Sequence, residues 1–142
     1  MTTADMHAIA LLGLRAAPGS PIELVPAIRR GFPTRSLDAV AKELGMSSPA
    51  VGALLGIPSR TLARRLQAKQ SFTSDESQRV FRLSRVLALA TSALGSLEKA
   101  RRWLRSPSRV LEGEVPLQLL DTDVGADAVI EEIGRIEHGV FA

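Results

Sequence analysis

Cysteine is absent from the 142-residue chain, which excludes disulfide frameworks, cysteine-rich zinc sites and thiol nucleophiles, and nothing marks an oxidising compartment. Histidine is scarce: His7 and His138 stand near opposite ends, so no histidine pair has metal-ligand spacing. No glycine-rich phosphate loop or nucleophile elbow is present. The neighbouring acids Glu131 and Glu132 would point about 100° apart on a helix instead of converging as a dyad. No catalytic role, cofactor or metal is therefore expected. Long hydrophobic runs are missing too. The opening segment carries Asp5 and no basic leader, its apolar stretch is broken by Gly13 and Arg15, and no later run has the length of a membrane span. The expectation is a cytoplasmic protein without membrane contact.

What is present is a chain 45% hydrophobic, enough for one respectable core with two functional ends but small for an enzyme with its own cofactor fold. The net charge of +3 conceals two poles. Between residues 60 and 85 seven basic groups (Arg60, Arg64, Arg65, Lys69, Arg79, Arg82 and Arg85) face two acids, and residues 86 to 111 hold five basic groups against one acid. From residue 112 onward only Arg135 is basic, against eight acids. A basic middle suits a polyanion, and an acidic end suits a different, protein partner.

No stretch alternates cleanly for the length of a strand, and every clear period is helical, so the predicted class is all-α. Residues 13 to 33 carry Gly13, Pro18, Gly19, Pro21, Pro26, Gly31 and Pro33, a density that predicts a loop or loosely ordered arm. Beyond it, Ser36 is the expected cap of a helix bearing Leu37, Val40, Ala41 and Leu44, which stops at Gly45. Ser48, with Pro49 behind it, is the expected cap of a second helix that stops at Gly56, and Ser59 of a third. Thr73 and Glu76 make a capping box at the start of the longest helix, which carries Val80, Leu83, Leu87, Ala90 and Leu94 before Gly95. A short helix with Ala100, Trp103 and Leu104 follows. A final one carries Val129, Ile133 and Ile136, capped by Thr122 or Asp123.

The segment from Ser47 to Gln67 has the pattern of a helix-turn-helix, whose second helix enters the DNA major groove. Gly52 is small where the two helices press together, Gly56 sits at the turn, and Ile57, Leu62 and Leu66 point inward. Ser59, Arg60, Ala63, Arg64 and Gln67 remain outside, with Thr61 near the phosphates. Arg60 or Arg64 has the reach for guanine O6/N7 and Gln67 for adenine, while Ser59, Thr61 and Lys69 suit phosphates. Arg65 stands where such motifs usually place an apolar residue, so it either runs its stem past the core edge or reaches a phosphate. The competing reading of this face is a plain solvated surface. Such motifs commonly act as dimers on paired half-sites, so a homodimer is expected. The long helix from Ser74 is the candidate seam, unless its stripe is internal core.

Across residues 100 to 139, Ala100, Trp103-Leu104, Pro107, Leu111, Gly113, Pro116-Leu117, Leu119-Leu120, Thr122, Gly125-Ala126, Val129, Ile133, Ile136 and Gly139 follow the approximate pattern A-x-x-W-L-x-x-P, L-x-G-x-x-P-L-x-L-L-x-T, G-A-x-x-V. This run resembles the Xre/MbcA/ParS family of antitoxins. It departs from that family at Ser108, where asparagine often follows the proline, and at His138, where an aromatic residue would be unsurprising. The resemblance implies a Cro/Xre-like helix-turn-helix domain followed by a small helical toxin-binding domain, in a type II toxin-antitoxin system. Its partner would be a RES-domain toxin, an NAD-consuming protein with an ADP-ribosyltransferase-like fold. The C-terminal domain would cover the toxin's active-site entrance, and the helix-turn-helix would hold operator DNA to repress the shared operon.

Transferred to this chain, the division is an arm over 1–35, a DNA-binding domain over 36–95 and a toxin-binding domain over 96–142. The expected toxin-facing residues are Glu131, Glu132, Arg135, Glu137, His138, Val140, Phe141 and Ala142. Phe141 would serve as aromatic anchor, and the acids as partners for toxin arginines. The alternative is a stand-alone dimeric transcriptional repressor whose C-terminal region serves dimerisation or ligand sensing.

Overall fold

Thr73 opens the central element with both halves of its capping box in place: its hydroxyl accepts the Glu76 N–H at 3.1 Å, and the Glu76 carboxylate accepts the Thr73 N–H at 2.8 Å. In the computed structural model, which describes residues 3–14 and 21–139, this helix is the sixth of eight α-helices among the described residues. They are α1 (Thr3–Leu11), α2 (Pro21–Arg30), α3 (Arg35–Leu44), α4 (Ser48–Leu54), α5 (Ser59–Gln67), α6 (Ser74–Leu94), α7 (Leu97–Leu104) and α8 (Asp123–Glu137), with a 3-10 turn at Pro116–Leu119 before the last. Among the described residues there is no strand, only isolated bridges between Pro33 and Ser71 and between Ser108 and Glu114. The all-α expectation holds. No single described helix is long and apolar enough to cross a membrane.

Val80, Leu83, Val86, Leu87 and Ala90 of α6 are at most 1% exposed, because α1, α7 and α8 pack around them, with α2 and α3 nearby. Each fully buried leucine there contributes on the order of 1.5–3 kcal/mol. The stripe is therefore internal core, and this face of α6 is not available as a dimer seam. One continuous apolar cluster runs from Ile9 through Leu37, Leu62 and Leu87 to Ile133, so the helix-turn-helix and the C-terminal helices share a core.

The described part of residues 1–35 departs from the expected loose arm. Ala8, Ile9 and Leu12 are at most 1% exposed, and α2 forms although Pro26 lies inside it. Pro21 occupies the first helical position, where a missing N–H is harmless. The hydrogen bond lost at Pro26 is offset by burial of Leu24 and partial burial of Ala27 and Ile28 against the core. Cap positions shift by one residue. Ser47, not Ser48, caps α4 by accepting the Ala50 N–H at 3.2 Å, and Pro58, not Ser59, precedes α5. Ser36 does not cap α3: the helix starts at Arg35, and the Ser36 hydroxyl is buried without a hydrogen-bond partner among the described residues.

Candidate functional site

The turn between α4 and α5 is built from three local choices. Gly56 has φ +74°, a left-handed conformation that glycine adopts without steric cost. Ile57 behind it is buried and donates its N–H to the Gly52 carbonyl at 2.8 Å. Gly52 lets α5 close on α4, since a Cβ there would stand 3.2 Å from Leu62 Cδ2. From α6, Arg79 donates to the Leu55 carbonyl at 3.0 Å and so caps the end of α4.

With Leu62 buried and Leu66 half-buried, α5 presents Ser59, Arg60, Ala63, Arg64 and Gln67 to solvent, and Thr61 is half-buried. Lys69 follows, exposed and with φ 53°. It is held there by a paired helix-ending motif, in which Lys69 N–H meets the Leu66 carbonyl at 3.3 Å and Gln70 N–H the Arg65 carbonyl at 2.9 Å.

The seven basic groups between residues 60 and 85 do not form one uniform face. Arg65 pairs with Glu76, and both side chains are more than four-fifths buried. Burial raises the pKa of Glu76, but the Thr73 N–H and the Arg65 guanidinium outweigh it and hold the carboxyl below its ordinary value. Arg65 thus ties α5 to the start of α6 and stands apart from the outward set. Arg79 is committed to the turn. Arg82 pairs with Asp123 and donates to the Leu120 carbonyl at 3.2 Å, and Arg85 pairs with Asp5 at 3.0 Å. Arg60, Arg64 and Lys69 make no ion pair among the described residues, and they surround the outward face of α5.

At the other end, Thr122 caps α8 by accepting the Gly125 N–H at 3.0 Å. A Cβ on Gly125 would collide with the Leu119 carbonyl, which is the physical reason for glycine in the Gly125-Ala126 pair. Leu104, Leu120, Ala126, Val129 and Ile133 are buried, while Trp103, Leu111 and Leu119 are half-buried against them. Glu131, Glu137 and His138 are exposed.

Glu132 is not on the expected outer face: it is 7% exposed, because it falls three residues after Val129 and one before Ile133 on the inward stripe. Arg135 bridges it at 3.1 Å and Glu131 at 2.9 Å. Val140, Phe141 and Ala142 lie outside the described residues. Two exposed residues lie outside the expected toxin-facing set. Val124, 81% exposed, and Asp127 align with Glu131, Arg135 and His138 along one side of α8, a spacing readable once Thr122 is taken as the cap.

Two family profiles cover most of the chain. The antitoxin Xre-like helix-turn-helix domain matches residues 23–85, and the antitoxin Xre/MbcA/ParS C-terminal toxin-binding domain matches residues 89–139. A protein named antitoxin Xre from Yersinia enterocolitica is 36% identical over 92% of this chain and 88% of its own length. The Prs ADP-ribosylating antitoxin of a Sphingobium species is 24% identical over 87% of this chain and 83% of its own. A chain in the crystal structure of the M. tuberculosis MbcT–MbcA toxin-antitoxin complex superposes with a TM-score of 0.59 at 26% identity, covering 77% of this chain and 96% of that one. With a helix-turn-helix in its middle and the Gly125-Ala126 helix start behind it, the chain belongs to the Xre/MbcA/ParS family of antitoxins.

Proposed function

We propose that this antitoxin neutralises a RES-domain, NAD-consuming toxin by covering its active-site entrance, and represses its own operon by holding operator DNA. The observation that carries this reading is the separation of exposed charge. Arg60, Arg64 and Lys69 stand exposed around α5 without an ion pair among the described residues, whereas Asp127, Glu131 and Glu137 stand exposed on α8. In this reading Arg60 or Arg64 reads base edges, Ser59, Thr61 and Lys69 contact phosphates, and Gln67 reaches a further base. On the toxin side act Glu131, Arg135, Glu137 and His138, joined by Val140, Phe141 and Ala142.

The functional division falls near residue 95, between α6 and α7. The chain works as a homodimer in the cytoplasm, and by occupancy instead of catalysis. The decisive experiment expresses the toxin-sized reading frame beside this gene, with and without this chain. Rescue of growth is expected. Unchanged toxicity would sink the antitoxin reading and leave a stand-alone repressor. Arg64→Ala separates the two ends: operator binding falls while rescue persists. Loss of both would instead mean damage to the fold.

A further inference from the structure

A second concentration of cations lies on α7 and just after it: Lys99, Arg101, Arg102, Arg105 and Arg109, against the single acid Glu98. Arg102 pairs with Glu98 at 3.3 Å on its own helix. Arg101 and Arg105, one turn apart, reach instead for the end of α3. Arg101 donates to the carbonyl of Glu43, and to that of Lys42 at 3.4 Å, where the helix dipole is negative. Arg105 is exposed and has no acceptor among the described residues. Both side chains flank Gly45: Nη1 of Arg105 and Nε of Arg101 lie 3.8 and 3.9 Å from where a Cβ on that glycine would stand.

Like charges gathered this way repel unless an anion joins them. Neither arginine makes an ion pair with a carboxylate among the described residues, and Asp38, at the other end of α3, accepts the Ser48 hydroxyl. Gly45 opens the turn into α4, the first helix of the helix-turn-helix, and in that motif the first helix crosses the DNA backbone while the second enters the groove. On DNA held in that way, Arg101 and Arg105 beside Gly45 would stand next to the strand that α4 crosses.

We propose that Arg105, steadied alongside Arg101, contacts a DNA phosphate, so that the C-terminal region extends the backbone contacts of the helix-turn-helix. The idea rests on the operator reading above and adds a residue that the motif does not contain.

The test titrates full-length wild type, Arg105→Gln and Arg102→Gln against a duplex of the DNA upstream of the chain's own coding sequence, and against a scrambled duplex of equal length, over a range of salt. Arg105→Gln should reduce the slope of log affinity against log salt by about 0.9. It should weaken binding about ten-fold at ~50 mM salt and about three-fold at ~200 mM, equally on both duplexes. Its melting temperature should match wild type. A wild-type slope in Arg105→Gln overturns the proposal, as does an equal loss in Arg102→Gln, which would indicate diffuse charge. If wild type binds neither duplex, the operator reading fails with it. If wild type binds and only the Arg105 expectation fails, the operator reading stands.

Discussion

Lys69 holds a left-handed backbone conformation, φ 53°, at the position after a helix where glycine is the usual occupant. A side chain there costs about 1–2 kcal/mol, so retention of lysine points to a use for its ammonium group beside α5. Lys69→Gly should stabilise the fold by about 0.5–1 kcal/mol, after allowing for glycine's greater unfolded freedom, and should weaken DNA binding. A chemical melt paired with an operator titration checks both halves. A variant no more stable and binding as well as wild type would remove the argument.

Arg135 shows the opposite case, an exposed-looking residue with a structural task. It pairs with Glu132, whose side chain is only 9% exposed. Arg135→Ala strands a buried carboxylate and should cost about 2 kcal/mol. Glu131→Ala, removing the exposed half of the same bridge, should stay within about 0.5 kcal/mol. Equal losses in urea denaturation would show that the burial of Glu132 does not matter.

At the scale of elements, the junction between α5 and α6 is held by Arg65, Glu76 and Thr73 together. Because the folded pKa of Glu76 is depressed, its stabilisation is complete above the unfolded value, about 4.3, and is lost as pH falls through the folded value. Glu76→Gln keeps an acceptor for the Thr73 N–H but removes the charge. Wild type should exceed it in stability at pH 7, and the gap should close in acid below about pH 4.3. A gap that ignores pH would mean that the ion pair contributes nothing.

This junction was half legible in the sequence. The T-x-x-E cap is local chemistry and reads directly, as do Gly56 at the turn and the inward Ile57 and Leu62. Arg65 as the partner of Glu76 is a tertiary fact, and an eleven-residue separation gives no periodic signal. Likewise Ser47 and Ser48 have the same cap chemistry, so only the fold chooses between them. The helix α2 was hidden because its prolines speak locally, while its support comes from distant apolar neighbours. Glu132 was the exception: its inward register was available from Val129 and Ile133.

For the molecule as a whole, deletion of residues 140–142 should weaken toxin neutralisation at least ten-fold, the loss expected when an aromatic anchor leaves an interface, with operator binding and melting temperature unchanged. Dose-response rescue of growth measures the first, and salt titration the second. Neutralisation at wild-type potency would remove the tail from the toxin contact.

The apolar cluster that joins Ile9 to Ile133 also bears on how long the protein survives in a cell. Proteolysis samples open states, and a region that unfolds alone is cut first. Here the core beneath the helix-turn-helix is the same core that seats α8, and Arg82 fastens α6 to the start of α8. Cleavage within the packed helices is expected to follow opening of this shared core, so that the repressor and the guard are lost together.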